Sequence, residues 1–361
     1  MPTDRDPLAL LETWDGLGVV LRHDQPTGTW IIIALHDDRL GRPAGGTRMK
    51  VYPALADALE DAQRLAEGMT HKWAGLDLPF GGGKAVLAIP RPLEAAERAG
   101  LIDRYAGLIA SLNGTFRTGP DLGTTPEDMA RIAAHCPHVL GYDFERRYSV
   151  DPGPYTARGV YESLKAAVAA AFGDDDLAGR TVLIQGVGDV GEPLARLLAA
   201  DGARLLLADV DRRRAGGLAA ELGAEAVDPD AVYDLPCDVY APCAVGGTLN
   251  AGTIPRLACR VVAGSANNQL ATAEDAERLH RRGILYAPDY VANSGGAMAI
   301  ALMQQGLWDE EALMARVAGI GRVMAEILAE AQEQGVSPLR AARRRVERRL
   351  AAAQSSDMRS K

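Results

Sequence analysis

Residues 181–191 read TVLIQGVGDVG, an apolar segment followed by three glycines in GxGxxG spacing. The segment Thr181–Gln185 predicts a buried strand, and Val190–Ala200 has the apolar spacing of a helix. In a strand–turn–helix unit of this kind, the free amides at the helix N-terminus face a phosphate group. The stretch therefore predicts a dinucleotide-binding turn.

Each glycine of this turn has a separate physical purpose. Gly186 permits the tight turn, Gly188 lets the backbone approach a pyrophosphate, and Gly191 allows close packing of helix on strand. Asp189 and Val190 lie between them and are predicted to contact the cofactor as well.

An acidic residue follows the next strand. Arg204–Ala208 predicts that strand, and Asp209 comes about 20 residues after the glycine turn, where a carboxylate binds the ribose hydroxyls. Such a carboxylate repels a 2′-phosphate and favours NAD over NADP. Arg212, Arg213 and Arg214 follow closely and would accommodate a phosphate, so NADP stays an alternative.

The second half of the chain continues this alternation of strand and helix. A helix is predicted over Arg212–Leu222, and further short strands over Val239–Ala241, Arg260–Ala263 and Ile284–Tyr286. The pattern indicates a Rossmann-type α/β domain, with a parallel sheet covered by helices on both faces. The chain is almost wholly helical from Asp309 onward.

A turn-rich break, Asp151-Pro152-Gly153-Pro154, suggests a domain boundary. The length also favours two α/β domains. We expect the dinucleotide-binding domain over 146–329. A substrate-binding and oligomerisation domain is expected over 1–145 plus about 330–361, with a cleft between the two domains.

The first half also alternates strand-like and helix-like segments. A loop is predicted at Gly81-Gly82-Gly83, and Thr125 is predicted to cap a helix that begins at Pro126. Strands are predicted over 19–22, 30–35 and 85–89, and helices over 54–70, 93–112 and 126–135.

Composition excludes several classes of protein. The formal charge of -9 over 361 residues argues against a general nucleic-acid binder. No apolar run approaches the roughly 20 residues of a membrane span, and Met1–Asp6 is polar, so we expect a cytoplasmic protein. The four cysteines form no CxxC pair, and neither a disulfide framework nor a metal site is expected.

Lysine is rare in this chain, accounting for five of its 39 basic residues. Only the lysine amine can lose its proton near neutral pH, so a retained lysine is a candidate base. Lys84 follows the three glycines, and Lys72 ends the helix predicted before them. Two ammonium groups near one desolvated cleft would lower each other's pKa. Asp121, in a Gly/Pro/Thr-rich turn, would relay protons.

Seven blocks of sequence, in order, carry a resemblance over nearly the whole chain: 44–48 (AGGTR), 69–72 (MTHK), 81–84 (GGGK), 121–124 (DLGT), 241–244 (APCA), 264–268 (GSANN) and 286–296 (YAPDYVANSGG). These blocks resemble the superfamily of glutamate, leucine, phenylalanine and valine dehydrogenases. Chain length and the Tyr-Ala-Pro-Asp-Tyr motif are most similar to the leucine/phenylalanine/valine branch. The sequence as a whole most resembles phenylalanine dehydrogenase.

The resemblance implies NAD-dependent, reversible oxidative deamination of an apolar L-amino acid to a 2-oxo acid and ammonia. By this resemblance Lys72 binds the substrate carboxylate with help from the Gly45 backbone. Lys84 is the base that activates water against the iminium left after hydride transfer. Asp121 exchanges protons with the amine. Asn268 holds the nicotinamide ribose or the amine side of the substrate.

Further cofactor contacts and an oligomeric state are also implied. Thr156 would contact the nicotinamide carboxamide. The remaining cofactor contacts would come from Ala241, Pro242, Cys243 and Asn293. Members of this superfamily form oligomers, so a homo-oligomer is expected.

The side-chain pocket implied by the resemblance is lined by Ala44, Gly119, Ala297 and Ile300. None of the four is charged, so a glutamate side chain would be buried without a partner. Ala44 and Gly119 are small and leave room for an aromatic or large aliphatic group. The local sequences Gly-Pro-Asp and Ala-Asn-Asn resemble the phenylalanine branch, whereas Leu-Gly-Thr-Thr after Asp121 resembles the leucine/valine branch. Leu or Val therefore stays an alternative substrate to Phe.

Two other functions are weighed against this one. A catalytically silent amino-acid sensor on the same scaffold would be expected to lack a lysine or the aspartate, and all three are present. A hydroxy-acid dehydrogenase would need a histidine–carboxylate pair, and His71 is the one histidine within the glycine-rich site motifs.

Overall fold

The computed structural model describes residues 6–359 and divides into two units. One unit comprises the chain up to Asp151 together with the segment from Val346 onward, and the other is Pro152–Arg345. The division thus falls at the predicted turn-rich break and again within the last helix, beyond the expected position near residue 330. The outermost residues of the predicted first domain, 1–5 and 360–361, lie outside the described residues.

Among residues 6–359, the first unit contains a five-stranded sheet, a small two-stranded sheet, four complete helices and the C-terminal part of the last helix of the chain. The strands are β1 (Gly18–Asp24), β2 (Thr29–Asp37), β3 (Pro43–Val51), β4 (Gly81–Ile89), β5 (Arg117–Pro120), β6 (Tyr142–Asp143) and β7 (Tyr148–Ser149). The helices are α1 (Pro7–Thr13), α2 (Leu55–Gly75), α3 (Ala95–Ser111) and α4 (Pro126–Ala133).

The large sheet has the order β1-β2-β4-β3-β5. β1, β2 and β4 pair antiparallel, whereas β3 runs parallel to both β4 and β5. Ile31 and Ile33 pack in the core cluster that contains α3 and α4, and Ile32 and Ala34 pack in the one that contains α2. Since alternate side chains of a strand point to opposite faces, burial of both faces explains the continuous apolar run of β2.

The three glycines before Lys84 do not form the predicted loop, because they are the first residues of β4. A Cβ on Gly81 would overlap the carbonyl oxygen of Asp37, and one on Gly82 would overlap the hydroxyl of Thr70. A Cβ on Gly83 would lie 2.9 Å from the ring of Phe116. The glycines therefore admit neighbouring parts of the chain itself.

The start of α4 was predicted correctly from the sequence, whereas the end of α2 was not. Thr125 caps α4 as predicted, since its side chain accepts a hydrogen bond from the Asp128 amide at 3.2 Å. Helix α2 was predicted to stop at Thr70 but continues to Gly75, so Lys72 lies inside it.

The second unit is built on a six-stranded parallel sheet. Its strands are β8 (Thr181–Gln185), β9 (Arg204–Ala208), β10 (Glu225–Ala226), β11 (Val239–Pro242), β12 (Val261–Val262) and β13 (Leu285–Tyr286). Its helices are α5 (Gly153–Phe172), α6 (Gly191–Ala200), α7 (Arg212–Leu222), the 3-10 turn Ile254–Arg256, α8 (Glu274–Arg281), α9 (Asp289–Ala292), α10 (Gly295–Gln304), α11 (Glu310–Ala318), α12 (Ile320–Gln334) and the first part of α13 (Pro338–Arg359).

The order of this sheet is β10-β9-β8-β11-β12-β13, with every neighbouring pair parallel. Leu183, Tyr240, Val262 and Tyr286 are register partners and form one buried row across four strands. The strand order reverses between β8 and β11, which is where open α/β sheets bind their ligands. Among residues 6–359, no helix has both the length and the apolar character needed to cross a membrane.

Candidate functional site

Lys84 and Asp121 meet in the first unit. Lys84 lies in β4 with 4 % of its surface exposed, and its Nζ donates to Asp121 Oδ1 at 2.7 Å. Strand β3 separates β4 from β5, after which Asp121 follows directly. Gly46 of β3 allows the contact, since a Cβ there would lie 2.8 Å from Asp121 Cβ and 3.3 Å from Lys84 Nζ.

A tight turn holds the backbone of Asp121. Its amide donates to Thr124 Oγ1 at 3.0 Å, and the Leu122 carbonyl accepts from the Met49 amide of β3 at 2.9 Å. Gly123 has a φ of 81°, and a Cβ there would overlap the Met49 carbonyl. The turn is therefore fastened to the sheet, which fixes the position of the carboxylate.

Burial and neighbouring charges set the protonation states of the pair. Burial lowers the pKa of Lys84 below its ordinary value, Asp121 acts against this, and the Arg48 charge lowers the pKa further. Burial would raise the pKa of Asp121, but the charges of Lys84 and Arg48 outweigh it and hold that pKa well below its usual range. Asp121 is thus an anion at neutral pH, beside an amine that loses its proton more readily than an exposed lysine.

Sequence reasoning gave no role to Arg48, although it stands in the quoted block at 44–48. Its Nε donates to Asp121 Oδ2 at 2.9 Å, on the carboxylate oxygen that Lys84 leaves free. We had expected Lys72 to be the second cation acting on Lys84, and in the structure Arg48 has this effect. The signal available in the sequence was its position two residues after Gly46 on the same strand.

The other predicted residues of the first unit lie on neighbouring elements. Lys72 is half-buried on α2. Gly45 packs so closely on β4 that a Cβ would overlap the Gly83 carbonyl oxygen. Ala44 is fully buried. At Gly119 of β5, an added Cβ would lie 3.7 Å from Leu140, an ordinary van der Waals contact.

The predicted dinucleotide turn connects β8 to α6 in the second unit. Gly186 has a φ of 94°, and a Cβ on Gly191, the first residue of α6, would overlap the Gly186 carbonyl. Above Gly188 the space is open, because a Cβ there would meet only Arg214 Nη1, at 3.9 Å. Asp189 and Val190 complete the turn. A bare backbone facing open space before a helix N-terminus fits a pyrophosphate.

Asp209 lies at the end of β9, beside this turn. Its carboxylate accepts hydrogen bonds from the amides of Val187 at 2.9 Å and Asp211 at 2.8 Å. Arg212 pairs with Asp228 at 3.0 Å and is thereby engaged elsewhere, whereas Arg214 lies next to Gly188. An anion suited to ribose hydroxyls and a cation suited to a phosphate are thus both present at this site.

A second part of the same unit gathers asparagines. Asn293 Nδ2 donates to the Ser265 carbonyl at 3.1 Å and to Asn267 Oδ1 at 2.9 Å. Its Oδ1 is buried and has no partner among the described residues. Asn268 directly follows Asn267 in the chain and has a φ of 51°. An unsatisfied buried acceptor at this point fits a ligand that brings hydrogen-bond donors, as a nicotinamide ribose or carboxamide does.

The remaining predicted residues also lie in the second unit. The Thr156 hydroxyl donates to the Pro152 carbonyl at 2.9 Å and accepts from the Gly296 amide at 3.2 Å, which leaves one lone pair. Ala241 and Pro242 end β11 and Cys243 follows it, while Ala297 and Ile300 lie on α10. Among residues 6–359, no group of three or more His, Cys, Asp or Glu side chains is arranged to hold a metal ion.

Two protein-family models match this chain. Residues 24–138 match the model described as "Glu/Leu/Phe/Val dehydrogenase, dimerisation domain". Residues 206–357 match the model described as "Glutamate/Leucine/Phenylalanine/Valine dehydrogenase".

Individual proteins and a solved structure are similar over nearly the whole chain. A leucine dehydrogenase of Bacillus subtilis is 42 % identical over 94 % of this chain and 93 % of its own. A phenylalanine dehydrogenase of Lysinibacillus sphaericus is 38 % identical over 92 % and 88 %. The crystal structure of an L-tryptophan dehydrogenase from Nostoc punctiforme matches with a TM-score of 0.79 and 36 % identity, covering 96 % of this chain and 99 % of that one.

Proposed function

Because the chain belongs to the glutamate/leucine/phenylalanine/valine dehydrogenase family, we propose that it oxidatively deaminates an apolar L-amino acid. The products are the 2-oxo acid, ammonia and the reduced nicotinamide cofactor, and the reaction is reversible. The observation that carries this proposal is the buried pair of Lys84 and Asp121, joined at 2.7 Å.

In the proposed reaction Lys84 is the general base. A bound nicotinamide would supply the acceptor for the hydride that leaves the substrate Cα. The iminium carbon that remains is attacked by water, and the neutral amine of Lys84 takes the proton from that water. The lowered pKa of Lys84 supports this role, because burial favours the neutral amine.

Asp121 serves as the proton relay of the same site. It is held as an anion, and its Oδ1 already accepts the Lys84 proton in a hydrogen bond. We assign it the transfer of protons between Lys84, the substrate amine and the departing ammonia. Lys72 is proposed to bind the substrate carboxylate, together with the backbone of Gly45.

For the cofactor we propose NAD. The support is Asp209, whose carboxylate is fixed by two backbone amides beside the open space above Gly188. A fixed anion there accepts hydrogen bonds from the ribose hydroxyls and repels a 2′-phosphate. We propose Asn268, Asn293, Thr156 and residues 241–243 as further contacts to the cofactor.

For the substrate we propose an aromatic or large branched-chain amino acid, that is, Phe, Leu or Val. The support is the uncharged set of pocket residues, in which a carboxylate side chain would lack a partner: Ala44, Gly119, Ala297 and Ile300. The relatives named for leucine, phenylalanine and tryptophan all act on apolar amino acids.

We also propose that the protein works as a homo-oligomer in the cytoplasm. One of the matching family models is a dimerisation domain, which supports association of several copies. The cytoplasmic location stays a prediction from the sequence.

Reduction of the cofactor at alkaline pH tests this function directly. The purified protein is assayed with Phe, Leu, Val, Trp and Glu, each with NAD and with NADP. We expect turnover with an apolar amino acid and NAD. Binding of an amino acid without any turnover would indicate the silent sensor, and Glu as the best substrate would contradict the pocket residues.

A further inference from the structure

The guanidinium of Arg48 lies between two carboxylates in the first unit, with 13 % of the side chain exposed. Its Nε donates to Asp121 Oδ2 at 2.9 Å, and its Nη1 donates to Asp61 Oδ2 at 3.1 Å. The hydroxyl of Tyr52 donates to the same oxygen of Asp61 at 2.6 Å. A continuous chain of hydrogen bonds therefore runs from Lys84 through Asp121, Arg48 and Asp61 to Tyr52.

The two oxygens of Asp121 are divided between two cations. Oδ1 accepts from Lys84 and Oδ2 accepts from Arg48. A guanidinium keeps its charge in proteins, and here Asp121 and Asp61 raise its pKa further against the effect of burial. When Lys84 gives up its charge, Asp121 therefore still has a counterion and a fixed orientation.

The far end of the chain keeps Arg48 in place. Burial and the hydrogen bond to Asp61 raise the pKa of Tyr52, so its hydroxyl remains a donor at any pH of interest. Asp61 lies on α2 and Tyr52 follows β3, so Arg48 is clamped from a helix and from the end of its own strand. Such a clamp is what precise placement of a charged group requires.

The ion pair of Arg104 with Asp24, in the same unit, has no such link to a lysine among residues 6–359. Arg104 pairs with Asp24 through two hydrogen bonds, and among the described residues no hydrogen bond or ion pair joins either of them to a lysine. The Arg48 pair instead shares its carboxylate with Lys84. Loss of the Arg48 charge should therefore change the protonation of Lys84, and loss of Arg104 should not.

We propose that Arg48 is a positioning residue of the reaction, which holds Asp121 ionised and oriented and whose charge favours the unprotonated form of Lys84. This inference rests on the proposed function. The charged groups that act on Lys84 are Asp121 from the turn after β5, Arg48 from β3 and Asp61 from α2, a helix that also carries Lys72.

Two measurements on the full-length protein test this inference. The first is kcat and kcat/KM against pH for the amino acid. The second is the titration of Lys84 by NMR after labelling lysine at Cε with 13C, which is practical because the chain has five lysines. Arg48→Gln is expected to lower kcat by about 100-fold, typical for loss of acid–base function, with an unchanged KM for NAD. It should also move the titration of Lys84 up by about one pH unit.

Arg48→Lys separates charge from geometry. A lysine keeps the charge but cannot contact both carboxylates in the same way, so the Lys84 titration should stay near that of the wild type. We expect kcat to fall by about tenfold, because Asp121 loses its fixed orientation. This variant also decides the question if Arg48→Gln does not fold, since a wild-type kcat in Arg48→Lys would overturn the inference.

Arg104→Gln is the matched control, because it also removes an arginine paired with an aspartate in the same unit. It should lower thermal stability and leave the Lys84 titration unchanged. An unshifted titration in Arg48→Gln, or an equal shift in Arg104→Gln, would overturn the inference. Absence of turnover in the wild type would instead count against the proposed function, while the NMR titration would still test Arg48.

Discussion

The Nζ of Lys84 donates to Oδ1 of Asp121 at 2.7 Å, although 37 residues separate them in the chain. The glycine at position 46 makes this contact possible across the intervening strand. Neither residue would behave alone as it does in the pair. The amine needs burial to lose its proton, and the carboxylate needs the neighbouring cations to stay ionised.

Replacing the proposed base, Lys84, should strongly lower turnover and leave cofactor binding unchanged. For Lys84→Ala we expect kcat to fall by about 10²–10⁴-fold, the usual contribution of a general base. Binding of NAD, followed by fluorescence or calorimetry, should be unchanged, because the proposed cofactor residues lie in the second unit. Lys165→Ala is the control lysine, since Lys165 pairs with Asp175 in the second unit. Full activity of Lys84→Ala would remove the assignment of the base.

The rate of oxidation should depend on pH through Lys84. Its pKa lies below the ordinary 10.5, so kcat/KM should rise with pH and level off once the amine is neutral. Asp121 has a depressed pKa and stays ionised from pH 6 to 11, so its titration adds no second pH-dependent region to the rate profile. Values of kcat/KM measured from pH 6 to 11 would check this. If the residual activity of Lys84→Ala rose with pH in the same way, the assignment to Lys84 would be contradicted.

Cofactor choice should respond to a change at Asp209. In Asp209→Ala the ribose hydroxyls would lose the proposed hydrogen-bond acceptor, and a 2′-phosphate would no longer be repelled by a carboxylate. We expect the KM for NAD to rise about tenfold, as the loss of hydrogen bonds to a charged group implies, and NADP to become relatively better. Kinetics with both cofactors measure the ratio. Arg214→Ala in the same background should reverse the gain with NADP, and an unchanged ratio in Asp209→Ala would show that Asp209 does not select the cofactor.

Enlarging position 119 should change substrate preference without loss of the fold. A Cβ there would make an ordinary contact of 3.7 Å with Leu140, so Gly119→Ala should fold normally. We expect preference to shift toward smaller side chains by about tenfold, the usual discrimination for one methyl group. Gly107→Ala is the control, because a Cβ at Gly107 meets nothing within 4 Å. The same Phe-to-Val ratio in both variants would mean that residue 119 lies outside the pocket.

Acid stability should depend on the buried Asp24. Its pKa is lowered mainly by the hydrogen bond from Arg104, so the ion pair stabilises the fold above pH 3.8 and is lost as pH falls through the folded pKa. Asp24→Asn should cost about 1–3 kcal/mol at pH 7 by leaving polar groups unpaired. The difference from the wild type should shrink at low pH, as urea midpoints at pH 7 and 3 would show. A constant difference would contradict this reading.

Elements that bury both faces were the most predictable from sequence. The bounds predicted for β8 and β9 are those observed, because strands of a covered parallel sheet are continuous apolar runs that end at turn residues. Strand β3 was not predicted from the sequence, because its residues PAGGTRMKV include few β-branched side chains and two adjacent glycines. It forms as a strand because β4 and β5 flank it on both sides.

The candidate site was predictable in its motifs and not in its contacts. Lys84 and Asp121 stand out through their glycine-rich surroundings, so both could be singled out from the sequence. Arg48 acts through carboxylates 13 and 73 residues away, and no local pattern records such distances. Arginine is also the default cation of this chain, which removes any signal from its mere presence.

The glycines around Lys84 differ in how much change they would survive over evolutionary time. At Gly45 and Gly82 a methyl group would overlap the backbone or a buried hydroxyl, so almost any mutation there would be eliminated by loss of the fold. At Gly119 a methyl group has room. With residue 119 in the proposed pocket, a lineage of such proteins could therefore drift in substrate range by single steps there, while the frame that holds Lys84 stays invariant.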